Sequence, residues 1–197
     1  MVTIYYRYVE AKRRPRVGAQ QRREEVIEAA LQEFAHKGLH GGSTITIARQ
    51  ADLSHPNLFR LFSTKKELFL TVLARVFEII DREMVRRGEA AGSDPRPAMS
   101  NAWGELMGRR ELMLMLLQGY AASDDPEIRD LMHHSTQAVF ERVEAMPEMN
   151  ADTAHWFIAE GALYMMASAM DLPARAAEDP WADRFLASGG RPEVTGH

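Results

Sequence analysis

Apolar residues recur along nearly the whole chain at the spacing of one face of an α-helix. The first such face, in residues 20–38, consists of Val26, Ile27, Ala30, Leu31 and Phe34. No stretch of convincing length alternates apolar and polar residues with the period of two that a half-buried strand requires. The sequence therefore predicts an all-α protein.

Turn-forming residues divide this pattern into separate helices. Gly38 is placed to end the first helix. Thr64 and Glu67 form a capping box that opens a long helix, and residues 88–97, with two glycines and two prolines, mark its end. Later helices are predicted at about residues 98–107, 110–121, 126–146 and 152–171, with a short one near 181–187.

The charge is divided unevenly along the chain. Residues 1–66 hold 12 Lys and Arg against 6 Asp and Glu, whereas the rest of the chain has a net charge of −10. A basic front on an acidic body favours a polyanion as the partner of the front. Chance asymmetry between two domains is the alternative.

Residues 43–62 hold two short helical segments separated by a tight turn. Ser43 can cap the first segment, residues 52–54 form the turn, and Ser54 can cap the second. Pro56 lies in the first turn of that second segment, where its missing N–H is harmless. Helices this short are stable only when packed together.

The second short segment has an apolar and a polar side. Its inward residues are Leu58, Leu61 and Phe62, and its outward residues are His55, Asn57 and Arg60. Two short helices, a tight turn and a polar outer stripe on the second are typical of a DNA-binding helix-turn-helix.

Residues 20–70 resemble the DNA-binding domain of the TetR family of bacterial transcription regulators. Ser43 stands at the family's capping Thr position, and Ile47-Ala48 matches its Ile-Ala pair. Residues 51–54 (ADLS) replace the family's Ala-Gly-Val-Ser turn. Residues 58–68 (LFRLFSTKKEL) then follow the family pattern almost position by position.

The resemblance implies an N-terminal three-helix helix-turn-helix domain and a larger C-terminal helical domain for ligand binding and dimerisation. On this basis the chain divides into a basic N-terminal arm (1–19), the DNA-binding domain (20–66), the regulatory domain (67–188) and a flexible tail (189–197).

Two residues depart from the family pattern. Asp52 stands where the family usually has Gly, so the turn requires a left-handed conformation that Asp tolerates. Phe59 stands where the family often has a Tyr whose hydroxyl reaches a phosphate, so that contact is lost, but the ring can still pack against the sugar-phosphate wall.

The resemblance also implies which residues contact DNA. His55, Asn57 and Thr46 would lie at base edges, and an amide such as Asn57 can pair with adenine through two hydrogen bonds. Ser43, Thr44, Arg60 and Lys65 would contact phosphates. The complete predicted set is Ser43, Thr44, Thr46, Ser54, His55, Pro56, Asn57, Phe59, Arg60 and Lys65. The alternatives are a solvated charge for Lys65 and a capping or surface role for His55.

A basic arm precedes this domain. It consists of residues 12–16 (KRRPR) together with Arg22 and Arg23. Such arms enter the minor groove or follow phosphates, and a solvated leader is the alternative.

Methionines and aromatic residues of the C-terminal domain are candidates for a ligand pocket, because flexible thioethers suit varied apolar ligands. Ordinary core packing is the alternative for each. The predicted pocket residues are Trp103, Met107, Met113, Tyr120, Phe140, Tyr164 and Met165.

The last long helix is rich in small residues, which permit close approach of another helix. By resemblance to the family it pairs with its copy in a dimer, with Trp156, Ala159, Leu163 and Ala167 as interface candidates. Packing within one chain is the alternative.

Enzyme, metal and membrane functions are not favoured. The chain has no Cys, and His133 and His134 are adjacent, so they point about 100° apart on a helix and cannot share a metal. No phosphate-binding loop, dinucleotide fingerprint or membrane-spanning run is present. Because no cofactor-binding motif is present, no cofactor is predicted. Residues 1–15 lack the apolar region of a secretory signal, so a cytoplasmic protein is predicted.

The sequence thus predicts a ligand-responsive repressor that binds a palindromic operator in double-stranded DNA as a homodimer, with an unknown small-molecule effector. An architectural or partner-regulated DNA-binding protein without such a ligand is the alternative. A body without a cavity of about 300 Å³ or more would favour that alternative.

Overall fold

The structure, a computed structural model, describes residues 18–186 and contains only helices within that range. They are α1 (Ala19–Gly41), α2 (Thr44–Gln50), α3 (His55–Leu61), α4 (Lys65–Ile80), α5 (Arg86–Ala90), α6 (Arg96–Met107), α7 (Arg110–Ala121), α8 (Pro126–Glu144), α9 (Ala151–Ala169), α10 (Leu172–Arg175) and α11 (Pro180–Leu186). The predicted all-α fold is confirmed. None of the helices described has the length and apolar character needed to cross a membrane.

The first three helices and the start of α4 pack around a small aromatic and aliphatic core, which we call the head. Phe34 of α1 and Phe69 of α4 meet edge to face, with ring centroids 5.2 Å apart. Ile47 of α2, Leu58 of α3 and Phe62 close this core without exposed surface. The head thus buries the inner faces of both short helices.

The first helix is broken at Gly38 but continues to Gly41. Gly38 has a φ of 66°, in the left-handed region, and helical geometry resumes after it. A Cβ at this position would lie 2.6 Å from Oε1 of Gln118 in α7. The left-handed backbone therefore favours glycine here, whereas the end of the flexible Gln118 side chain could shift to admit a Cβ.

The long helix predicted to start at Thr64 is interrupted by a π turn. The Thr64 hydroxyl accepts a hydrogen bond from the Glu67 N–H at 3.0 Å, as expected for the cap. Beyond Ile80 the helix widens into a π turn at Asp81–Val85 before α5 begins. Arg142 of α8 holds this turn by pairing with Asp81, and with Glu89 of α5 at 2.8 Å.

Helices α4 to α9 form a larger body around a second part of the core. Its fully buried side chains include Met84, Met99, Leu106, Leu112 and Met113. A smaller cluster under the last two helices consists of Ala167, Leu172 and Ala182, with Phe185 and Leu186 packed on it.

Head and body are in direct contact. Helix α1 packs along α7, and Lys66 at the start of α4 pairs with Asp125 and Glu127 at the start of α8. The hydrogen bond to Glu127 raises the pKa of Lys66. Because α4 runs unbroken from Lys65 to Ile80, the proposed division between residues 66 and 67 falls inside a helix and stays a prediction.

Candidate nucleic-acid interface and body cavities

Ser43 caps α2 as predicted. Its hydroxyl accepts a hydrogen bond from the Thr46 N–H at 3.3 Å, and its own N–H donates to Oε1 of Glu33 at 2.9 Å. One residue thus satisfies a free donor of α2 and ties the helix to α1.

Glu33 is a buried carboxylate that sequence reasoning missed. Lys37 donates to both of its oxygens, at 2.9 and 3.1 Å. Burial alone would raise the pKa of Glu33, but the hydrogen bonds from Lys37 and from the Ser43 N–H outweigh it, so the pKa is lowered. The charged form of Glu33 therefore holds the start of α2 in place.

The turn between α2 and α3 is left-handed at Asp52, as predicted. Asp52 has a φ of 54°, and the Leu53 N–H donates to the Ala48 carbonyl at 2.8 Å. This bond, with the Asp52 N–H donating to the Arg49 carbonyl at 3.2 Å, forms a Schellman motif that ends α2.

The two sides of α3 are oriented as predicted. Leu58 and Phe62 are fully buried and Leu61 is half-buried. Asn57 and Arg60 are exposed, whereas His55, predicted to face outward, is half-buried. Ser54 was predicted to cap α3, but its side chain makes no capping hydrogen bond. Its backbone carbonyl accepts the first hydrogen bond of the helix, from the Asn57 N–H at 2.9 Å. The polar edge of α3 therefore remains open to a partner.

His55 and Thr44 contact each other. Nε2 of His55 and Oγ1 of Thr44 are 2.8 Å apart, and the His55 ring lies edge-on to Phe59, with centroids 4.9 Å apart. These residues were predicted as separate base and phosphate contacts. Here they also join α2 to α3, a pairing across the turn that no local pattern indicates.

Arg23 corrects the prediction of the basic arm. Both Arg22 and Arg23 lie inside α1. The Arg23 guanidinium stacks on the Phe62 ring, 4.2 Å from its centroid, and donates to the Leu61 carbonyl at 3.1 Å. Arg23 therefore fastens the end of α3 to α1. The remainder of the predicted arm, residues 12–16, and the predicted tail lie outside the described residues.

Lys65 has a structural role beside its predicted one. Its Nζ donates to the carbonyls of His40 at 3.0 Å and Gly42 at 3.2 Å. An ammonium group carries three donors, so one remains for an anion at the start of α4. The lysine also satisfies carbonyls at the end of α1.

The body contains two neighbouring cavities. The first, of about 80 Å³, lies between α4, α7, α8 and α9 and is lined by predicted residues Tyr120 and Met165. The second, of about 220 Å³, is lined by Met107 and Tyr164. Trp103 borders both.

Two predicted pocket residues are placed elsewhere. Met113 is fully buried in the core and lines neither cavity. Phe140 packs against the main core and also lines neither. The helical period placed both on an inner face but could not tell a packed core from a cavity wall.

The predicted dimer residues divide into exposed and buried ones. Trp156 and Ala159 are exposed on α9, and Leu163 is half-buried. Ala167 corrects the prediction, because it is fully buried against Leu172 and Ala182 of the same chain. Packing within the chain, the alternative considered, accounts for this last position.

The capped start of α2, the left-handed turn and the exposed polar edge of α3 define a helix-turn-helix head on a helical body. Residues 26–72 match the family described as "Bacterial regulatory proteins, tetR family". The chain is also 38% identical over 64 residues to the HTH-type transcriptional activator FasR of Mycolicibacterium smegmatis, a match that spans 32% of this chain and 29% of FasR.

Solved structures share the fold over most of the chain. A transcriptional regulator from Rhodococcus sp. Rha1 superposes with a TM-score of 0.64 at 20% identity, covering 83% of this chain and 91% of that one. A TetR family member from Streptomyces coelicolor A3 gives 0.61 at 24% identity, covering 84% and 96%. At identities below 25% these structures show a shared fold, and the match to the TetR family itself covers residues 26–72.

Proposed function

We propose that this protein is a ligand-responsive transcription repressor that binds a palindromic operator as a homodimer. The exposed polar edge of α3 carries the proposal. Asn57 and Arg60 lie on that edge while Leu58 is fixed in the core behind them. A helix held in this way can enter the major groove with its side chains toward base edges.

The charge of the chain supports DNA as the partner. Residues 1–66 carry 12 Lys and Arg against 6 Asp and Glu. Exposed cations near a groove-binding helix neutralise phosphates and release counterions, so affinity falls steeply with salt. The acidic remainder of the chain has no such attraction.

A homodimer follows from the geometry of operators. Two recognition helices must lie about 34–36 Å apart to read consecutive turns of one DNA face. Trp156 and Ala159 expose apolar surface on α9, and we assign them to the interface between two copies. An interface of this kind is two-fold, which makes the operator a palindrome.

The cavities support a ligand response, and their size favours a second candidate. At about 80 and 220 Å³, each is below the ~300 Å³ at which ligand pockets begin. This favours an architectural or partner-regulated DNA-binding protein without a small ligand. We prefer the ligand-responsive function because the two cavities share Trp103 as a wall, and displacement of that wall would join them.

Selection of bound DNA from a random pool at two salt concentrations tests the function. We expect a palindromic consensus and an affinity that drops steeply as salt rises. Failure to enrich any sequence would refute it. Placing the selected site over a promoter then tests the direction of control: the protein should lower reporter expression, and a rise would instead show activation.

Lys65→Ala should weaken binding to the operator and to unrelated DNA equally, because a phosphate contact carries no sequence information. The slope of log affinity against log salt should fall by about one for each protomer. Gel-shift titrations at several salt concentrations measure both effects. Lys65→Arg, which retains the charge, is the control. Parental binding of Lys65→Ala to both DNAs would leave the lysine only its bonds to His40 and Gly42.

A further inference from the structure

The indole N–H of Trp103 has no partner. Trp103 lies on α6 and is 8% exposed. Its Nε1 is the one buried side-chain nitrogen or oxygen among residues 18–186 that makes no hydrogen bond. Buried donors are almost always satisfied in folded proteins, so this exception requires an explanation.

The Trp103 side chain lies at the boundary between the two cavities, and its N–H is buried there. Trp103, Phe157 and Gly161 line both of them. A Cβ on Gly161 would lie 3.3 Å from Nε1 and 3.1 Å from Cζ2 of Trp103. The indole edge that carries Nε1 therefore rests on the bare backbone of Gly161, where the cavities meet.

The lining residues set the charge that a ligand can carry. No Lys, Arg or His lines either cavity, and Glu160, which borders the second, is their one charged residue. Oε1 of Glu160 accepts a hydrogen bond from the Tyr164 hydroxyl at 3.1 Å. A buried anionic group would thus be desolvated without a cationic partner, which is costly. Apart from Thr136 and the Tyr120 hydroxyl, the first cavity is apolar.

We propose that the effector is a mainly apolar, neutral or cationic molecule with a hydrogen-bond acceptor that binds the Trp103 N–H where the two cavities join. This inference rests on the proposed ligand response and names the chemical class of the ligand. Moving the indole away from Gly161 breaks no hydrogen bond at Nε1. The ligand's acceptor then supplies the partner that the buried donor lacks.

A matched pair of probes tests the acceptor. Benzophenone and diphenylmethane differ only in a carbonyl group, and calorimetry or equilibrium dialysis gives their affinities. The parent protein should bind benzophenone about tenfold more tightly than diphenylmethane. Trp103→Phe should remove most of that difference, and Trp181→Phe, at an exposed tryptophan, should retain it. An undiminished difference in Trp103→Phe, or no binding of either probe to the parent, overturns the proposal.

A second pair of probes tests the charge. The para-carboxylate of benzophenone should bind at least about tenfold more weakly than its para-trimethylammoniomethyl analogue, because Glu160 is the one charged lining residue. Tighter binding of the carboxylate would contradict the charge assignment.

A measurement on a protein with Trp103 intact covers the case in which Trp103→Phe does not fold. The chain has three tryptophans, so the loss of one indole N–H resonance in Trp156→Phe and of another in Trp181→Phe, each made alone at an exposed residue, assigns the third to Trp103 in the parent protein. The Trp103 N–H resonance in a proton–nitrogen NMR spectrum should move downfield with benzophenone and much less with diphenylmethane. Equal shifts would show that the carbonyl is not bound there.

Measuring DNA binding alongside probe binding distinguishes a failure of this inference from a failure of the proposed function. A protein that selects a palindrome but binds none of the four probes refutes the ligand class and favours the ligand-free alternative. A protein that binds benzophenone through Trp103 but enriches no DNA sequence retains the ligand site and loses the proposed function.

Discussion

Asn57→Ala is expected to abolish most of the preference for the operator over unrelated DNA. A good amide–base pair discriminates by about 1–3 kcal/mol, and a dimer on a palindrome makes it twice. Asn57 is exposed on α3. Its side chain makes no hydrogen bond within residues 18–186, so it can bind a base without first breaking one. Competition titrations of operator against scrambled DNA measure the effect.

Gln137→Ala is the control for this loss of specificity. Gln137 is an exposed amide on α8 that donates to Glu141 at 2.7 Å, so its removal should leave the preference unchanged. If Asn57→Ala discriminated between the two DNAs as well as the parent, the assignment of Asn57 to a base contact would be wrong.

Phe34→Ala is expected to lower the free energy of unfolding by about 3–5 kcal/mol, the usual cost of truncating a buried Phe. Phe34 is fully buried, meets Phe69 edge to face, and lies against Gly42, where a Cβ would be 2.5 Å from its ring. The cavity left behind therefore borders α1, α4 and the start of α2. Urea unfolding followed by circular dichroism measures the loss.

Phe59→Ala is the matched comparison for the core substitution. The Phe59 side chain is 37% exposed, so its truncation should change stability by less than about 1 kcal/mol while weakening DNA binding. A loss of less than about 1 kcal/mol in Phe34→Ala as well would mean that Phe34 is not central to the head.

Local patterns in the sequence predicted most of the helices and the orientation of α3. The 3.6-residue period placed α7 at its observed ends, residues 110–121. The left-handed conformation of Asp52 was predicted because the turn after α2 needs one residue with a positive φ. Each of these features depends on neighbours a few residues away, which a single sequence displays directly.

Contacts between distant residues were not predictable in this way. Lys65 bonds to a carbonyl 25 residues earlier, and Arg23 to one 38 residues later. Ala167 is covered by helices that follow it, although its small size equally suited a dimer interface. Burial periodicity shows which face of a helix is inside, but not which partner fills the space against it.

Helix α7 touches both the first cavity and helix α1 of the head. Leu116 and Tyr120 of α7 line the first cavity, while Gln118, between them in sequence, donates to the Ala35 carbonyl of α1 at 3.4 Å and abuts Gly38. Opposite sides of α7 thus touch the first cavity and α1 of the head, and no other element lies between them. We therefore expect a ligand that enlarges the first cavity to displace α7 and, through its packing against α1, to shift the head.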